Sequence, residues 1–168
     1  MTARPEYLAP GPITARGKAP GLRFRLLSES GDRRAYVIAF GKGDEAASGL
    51  VEFAEKQKLR SAHFTGLGAF ENAQLAWFDR QRKEYRVIPV PSAVEVVSLV
   101  GNVSQENGKP VVHVHCALGR PDGSMVGGHL LEGVVFPTLE IHLTEEPIVV
   151  EKVNDPETDL ELMVFSQK

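Results

Sequence analysis

The sequence predicts an α+β fold in which a largely antiparallel β-sheet packs against one main amphipathic helix. Two patterns predict it. Apolar residues recur at helical spacing in a single long stretch, from about residue 44 to about residue 58. The remainder consists of short β-rich runs separated by glycine, proline and aspartate, without the regular alternation of strands and helices that a parallel sheet requires.

Length and composition indicate one domain. The chain has 168 residues, of which 42% are hydrophobic, enough to bury a core at the usual size of a single domain. A formal net charge of -3 excludes the overall attraction to nucleic acid that basic proteins show, but leaves a local basic patch open. The single cysteine, Cys116, excludes an intrachain disulfide, and no N-terminal apolar run resembles a signal peptide or a membrane-spanning helix. We therefore expect a cytoplasmic protein without a membrane partner.

Three segments differ in composition. Residues 1–20 contain four prolines and no apolar period, which predicts an irregular N-terminal arm, mildly basic through residues such as Arg4 and Arg16. Residues 21–150 form the predicted domain. Residues 151–168 are rich in acidic side chains and are interpreted as an acidic C-terminal segment, a solvated edge that promotes solubility.

The domain is predicted to begin with a β-hairpin and a helix. The runs over residues 22–30 and 34–40 are β-rich and are separated by the turn residues SGDR. A helix over about residues 44–58 follows, with Asp44 in position to cap its first turn. Its apolar face would comprise Ala46, Ala47, Leu50, Val51, Phe53 and Ala54.

Seven further runs are predicted to be strands, because each is short, β-rich and followed by turn residues. They are SAHFTGLGAF, AQLAWFD, EYRVIPV, AVEVVSLVGNVSQ, PVVHVHCALG, SMVGGHLLEG and TLEIHLT.

Three of the five histidines fall within residues 111–133. Alternate side chains of a strand share a face, so His113 and His115 point one way. The other face carries Val112, Val114, Cys116 and Leu118 and is predicted to face the core. The Cα atoms of the two histidines would lie roughly 6.5 to 7 Å apart, close enough for both imidazoles to bind one ion with bonds of about 2.0 to 2.1 Å.

The turn after this strand decides whether a third histidine joins them. The sequence GRPDGS has proline, aspartate and glycine in turn order. If the loop has three residues, 121–123, His115 lies directly opposite His129 on the neighbouring strand, and the three imidazoles cluster. A two-residue loop would instead place Cys116 opposite His129, on the wrong face.

Three neutral imidazoles without a cysteine suit zinc, and also iron, nickel or copper, and they leave a coordination position open for water or a ligand. The alternative is three surface or interface histidines that only form hydrogen bonds. The residues alone leave both interpretations open.

Four stretches, taken in order, resemble the PPC (plants-and-prokaryotes-conserved) domain family. They are GLGAFENAQLAWFD, VEVVSLVGNVS, VHVHCALGRPDGSMVGGHL and TLEIHL. The succession of a glycine turn, Phe-Asp, His-x-His and Gly-Gly-His carries the resemblance, which runs from about Leu22 to about Thr144. The chain is similar to stand-alone prokaryotic members.

The resemblance implies a mainly antiparallel sheet packed on a helix and assembly as a homotrimer. It also implies a divalent-metal site, commonly of zinc, formed by the histidines that match His113, His115 and His129 here. In plants the domain follows AT-hook motifs in nuclear DNA-associated proteins. The nearest match to an AT-hook core in this chain, ARGKAP at residues 15–20, lacks the Arg-Gly-Arg-Pro sequence that enters the minor groove.

Two functions are therefore expected as alternatives. In the first, the three histidines bind a divalent metal, most simply zinc, whose open position takes water or a small anionic ligand. In the second, the protein is a DNA-binding or regulatory protein like the plant members. Glu140 matches an acidic position that recurs in the family, so it could orient a ligand histidine or act as a base, or form only a surface ion pair. Whether the protein is an enzyme stays open at this point.

Overall fold

The computed structural model describes residues 6–11 and 17–165. Within them one helix, α1 (Ala46–Gln57), lies among ten strands. The strands are β1 (Tyr7–Leu8), β2 (Arg23–Ser30), β3 (Arg33–Phe40), β4 (Ala62–Asp79), β5 (Glu84–Val90), β6 (Val94–Glu106), β7 (Lys109–Gly119), β8 (Met125–Glu145), β9 (Glu151–Asp155) and β10 (Leu160–Val164). The predicted α+β class, with one main helix, is confirmed.

The strands pair in the order β1-β5-β4-β6-β7-β8-β3-β2, and every pair on this path is antiparallel. In addition, β4 pairs with β8 along most of its length. The pairings of β4, β6, β7 and β8 therefore close on themselves and enclose a core. The one parallel contact joins Gln105 of β6 to Glu151 of β9, and β9 pairs with β10 as a separate hairpin.

Two strands are longer than the sequence indicated. Four of the predicted runs merge in pairs into β4 and β8, because the short connections between them, residues 71–72 and 134–137, continue the strands. The register of β4 shifts at Gly68, which has a φ of +153° and lies so close to the Thr138 carbonyl oxygen that a Cβ atom would clash with it. Glycine is the residue that tolerates both conditions, so the strand bends there and continues.

The N-terminus of α1 corrects the predicted cap. Glu45, not Asp44, caps the helix: its carboxylate accepts hydrogen bonds from the backbone N–H groups of Ala47 and Ser48. Asp44 lies one residue earlier and accepts instead from the N–H groups of Gly21 and Gly41, both at 2.8 Å. From the N-cap position, the side chain of Glu45 reaches the N–H groups of the first turn that follows it.

The core lies between α1 and the inward face of the closed strands. Helix α1 lies against β7 and β8. The residues of β7 predicted to face the core are all buried: Val112, Val114, Cys116 and Leu118. The histidines of β7 alternate with them, so they lie on the face turned away from the helix.

The ends of the described chain add to this sheet. Residues 7–8 of the N-terminal arm form β1 and pair with β5, whereas Arg4 and Arg16 lie outside the described residues. The acidic C-terminal segment contains the β9–β10 hairpin, which the sequence analysis did not predict. No helix among the described residues is long and apolar enough to cross a membrane.

Candidate metal centre

The turn between β7 and β8 has a three-residue loop, the first of the two alternatives that the sequence left open. The Arg120 N–H donates to the Ser124 carbonyl at 2.8 Å, and the Gly123 N–H donates to the Arg120 carbonyl at 2.9 Å. Gly123 has a φ of +80°, which a residue with a side chain rarely adopts. The resulting register pairs His115 directly with His129.

The three histidines converge on the outer face of the sheet. The distances between ring centroids are 4.9 Å for His113 and His115, 5.1 Å for His113 and His129, and 5.6 Å for His115 and His129. One nitrogen from each ring can be chosen so that all three lie within 4.8 Å of one another. Three nitrogens at this spacing can reach a single ion after small side-chain rotations, because each needs to be about 2 Å from it.

Burial keeps these imidazoles neutral. It lowers the pKa of His113 to about 4 and that of His129 to about 3, with further lowering of both by the positive charge of Lys152 and by the neighbouring histidines. Burial also lowers the pKa of His115, which is more exposed. A neutral imidazole has a free lone pair, so at pH 7 all three rings are in the form that binds a metal.

His129 is held by its surroundings and has one unused nitrogen. Its ring stacks on Tyr85 of β5, with centroids 5.1 Å apart and an interplanar angle of 23°. Its Nδ1 atom is buried and has no hydrogen-bond partner. Leaving a buried polar atom unsatisfied costs free energy, and bonding to a cation would remove that cost. The residues present therefore fit a metal ion.

Gly128 allows β8 to approach β4 next to His129. A Cβ atom at this position would lie 2.6 Å from the Ala76 carbonyl oxygen, and Ala76 is the residue of β4 that pairs with His129. The Gly-Gly-His sequence thus combines a close backbone approach with a ligand side chain.

A cavity of about 370 Å³ opens beside the cluster. His113 and His129 form part of one wall, together with Tyr85 and Val111. The β9–β10 hairpin supplies the facing wall through Lys152, Asn154, Asp159, Leu160, Glu161 and Leu162. The hairpin is anchored at two points. The Gln105 N–H donates to the Val150 carbonyl at 2.8 Å, and Lys83 Nζ donates to the Pro156 carbonyl at 3.1 Å.

Glu140 is not brought to the cluster. It is exposed and pairs with Ala39 and Leu67, whereas His129 pairs with Ala76, nine residues further along β4. His63 is also exposed. It lies near the start of β4 and pairs with Thr144, far along the strand from Ala76, which pairs with His129. The described histidines therefore separate into the cluster and two others, His63 and His142.

Sequence reasoning missed Tyr85 and Lys152. Nothing near Tyr85 in the chain indicates its contact with His129, which follows 44 residues later and meets it only through the sheet. Lys152 had a weak signal: the short β-rich runs EKVND and LELMV flank the turn residues PETD, a hairpin pattern.

The fold and the cluster match a known family. A model of the Plants and Prokaryotes Conserved (PCC) domain matches residues 27–147, well over half of the chain. The chain belongs to this family. It is the family, also written PPC, that the sequence stretches resemble, and the match ends before the β9–β10 hairpin. No curated protein matches the sequence.

Solved structures agree with the PPC assignment. A PPC protein from Pyrococcus horikoshii is 33% identical with a TM-score of 0.75, and the match covers 84% of this chain and 100% of that one. A metal-containing protein from Archaeoglobus fulgidus is 28% identical with a TM-score of 0.73, covering 85% and 99%. A candidate DNA-binding protein from Bacteroides thetaiotaomicron is 23% identical with a TM-score of 0.79, covering 86% and 98%. The last of these shows a shared fold only.

Proposed function

We propose that this PPC protein binds one divalent metal ion, best matched by zinc, through His113, His115 and His129. The observation that carries the proposal is the convergence of three neutral imidazole nitrogens within 4.8 Å of one another. Neutral nitrogen donors without a thiolate suit zinc, and three of them leave a position for water or a small anionic ligand. The similarity to a metal-containing protein from Archaeoglobus fulgidus supports it.

In this proposal the chain's own residues orient and shield the ion. Tyr85 holds the His129 ring by stacking, and the β9–β10 hairpin limits access of bulk water from one side. A bound zinc ion would supply a Lewis acid at the open position. Glu140 is too far along the sheet to take part, so the expected role is binding of a ligand at the metal.

Elemental analysis tests this function. Protein purified without added metal is expected to contain about one equivalent of metal per chain, and the double variant His113→Ala/His129→Ala is expected to contain almost none. The matched control is His63→Ala/His142→Ala, which removes two exposed histidines outside the cluster. Equal metal content in the wild type and the cluster variant, with both folded by circular dichroism, would remove the site.

We also propose that the protein assembles as a homotrimer. Large apolar side chains of β4 and β6 are exposed on the outer face of the sheet, among them Leu67 (60%), Val97 (58%) and Val100 (48%). Exposed apolar groups on a sheet face are typical of subunit interfaces. Light scattering at micromolar concentration should give three times the chain mass, and the mass of a monomer would contradict the proposal.

A second candidate function is DNA binding, supported by the similarity to a candidate DNA-binding protein from Ralstonia eutropha, which is 26% identical with a TM-score of 0.73. The net charge of -3 and the lack of an AT-hook sequence make it the weaker proposal. Binding to duplex DNA across a salt series tests it, because phosphate contacts weaken steeply as salt rises. Absence of binding at low salt would reject it.

A further inference from the structure

Lys152 is placed where a ligand of the metal centre would pass. It lies on β9, is half-buried, and lines the same cavity as His113 and His129. Among the described residues that line this cavity, it is the only lysine or arginine. Its ammonium group forms no hydrogen bond or ion pair with another described residue. A half-buried ammonium without such a partner is available to a ligand.

The charge of Lys152 conflicts with a metal site that has only neutral ligands. A divalent ion held by three imidazoles keeps its full charge of +2, and a lysine in the wall of the same cavity adds a like charge. Partial burial strengthens the repulsion, because the local dielectric constant is lower than in water. An anion between the two cations converts this repulsion into two attractions, so the site favours a negatively charged ligand.

The surrounding acids limit the charge of that ligand. Glu106, Asp159 and Glu161 also line the cavity. Asp159 Oδ2 lies 3.5 Å from Lys83 Nζ. Glu106 and Glu161 lie near Lys152 without forming an ion pair with it. These carboxylates would repel a phosphate dianion or a polyanion more strongly than a monoanion. Apolar side chains of Val111, Leu160 and Leu162 complete the lining and suit a hydrocarbon group.

We propose that Lys152 is a ligand-recognition residue that selects small monocarboxylates, whose negative charge would be stabilised by both Lys152 and a metal ion held by the three histidines. This inference rests on the proposed metal site and names the ligand class of that site. The residue lies on the C-terminal hairpin, beyond the residues 27–147 that the family model matches.

Cobalt-loaded protein provides the test. The protein is stripped with a chelator, reloaded with Co²⁺ and titrated with acetate, butyrate and inorganic phosphate, while the visible absorption of the bound Co²⁺ reports changes in its coordination. The variants are Lys152→Gln and Lys152→Arg, with Lys109→Gln as a control at an exposed lysine of β7 outside the cavity. Cobalt content is measured for each protein before titration.

The expected result is that butyrate and acetate change the spectrum of the wild type, butyrate at lower concentration, and phosphate only weakly. Lys152→Gln should weaken carboxylate binding by about tenfold or more, since it removes a charge-assisted hydrogen bond. Lys152→Arg should retain part of the affinity, and Lys109→Gln all of it. Cobalt content should be the same throughout.

Two results would overturn the inference while leaving the metal site intact. One is equal carboxylate affinity in the wild type and Lys152→Gln at equal cobalt content. The other is a wild type that does not prefer the carboxylates, either because phosphate binds more tightly than both or because none of the three anions changes the spectrum. A wild type that fails to bind cobalt would instead contradict the proposed metal site, so the two failures are distinguishable.

Discussion

His115 lies directly opposite His129 across the β7–β8 hairpin, and this pairing depends on a turn with an odd number of residues. Deleting Asp122 would leave a two-residue loop and shift the register by one position, which turns one set of side chains to the other face. We expect the deletion variant to lose its metal, measured by elemental analysis. Inserting two glycines after Asp122 keeps the number of loop residues odd and should preserve most of the metal content. Full metal content in the deletion variant would contradict the register argument.

Gly128 is expected to be intolerant of a side chain. In Gly128→Ala the new Cβ atom would lie 2.6 Å from the Ala76 carbonyl oxygen, so β8 must move away from β4 beside His129. We expect a loss of unfolding free energy of about 1–3 kcal/mol and weaker metal binding, measured by urea unfolding and metal titration. Gly119→Ala is the control, because the atom nearest to its Cβ would be a Val97 side-chain methyl, at 3.2 Å, and not a backbone atom. Equal effects of the two variants would argue against the close approach.

Glu45 is expected to stabilise the fold more than an ordinary helix cap. It is only 3% exposed, and its carboxylate accepts hydrogen bonds from Ala47, Ser48 and, at 2.9 Å, the Gly133 N–H of β8. Glu45→Ala leaves these donors without their partner and should lower the unfolding free energy by about 2–4 kcal/mol.

The control for Glu45 is Glu52→Ala, which removes an exposed i,i+4 ion pair with Lys56. That change should cost at most about 0.5 kcal/mol. Both values come from urea unfolding at pH 7. A loss for Glu45→Ala as small as that of the control would show that the carboxylate does not tie the helix to β8.

The metal-free protein should become less stable as the pH falls below about 7. The folded pKa values of His113 (about 4) and His129 (about 3) lie below the ordinary value of 6.5. The unfolded chain therefore binds more protons between these values, so its free energy falls relative to the folded state. From pH 7 to pH 5 the unfolding free energy should drop by about 3–4 kcal/mol, a little under 2 kcal/mol for each histidine.

Urea unfolding in the presence of a chelator measures this drop. The variant His113→Gln/His129→Gln lacks the two titrating groups and should show a flatter dependence on pH over the same interval. Parallel curves for the two proteins would contradict the lowered pKa values.

Local patterns predicted much of the fold. The helix was predicted because the spacing of its apolar residues is a local feature. The β2–β3 hairpin follows from two β-rich runs around a short turn. The prediction of which face of β7 is buried is confirmed, because the alternation of side chains is set by the backbone of the strand itself and not by its neighbours. The misplaced cap shows the limit: besides the nearby Gly41, Asp44 binds Gly21, which is 23 residues away in the chain and which the local sequence cannot place beside it.

The sequence by itself determined the alternation of β7, which brings His113 and His115 to one face. It left the length of the next turn open, and the folded hairpin decided it: a three-residue loop pairs His115 with His129. The tertiary structure alone decided what surrounds them. Tyr85 reaches His129 through the sheet, Lys152 reaches the cavity through a hairpin anchored on β6, and Glu140 is carried away along β8. The physical reason is that strand geometry over a few residues is set by the backbone, whereas contacts between distant segments depend on which strands pair and how they bend.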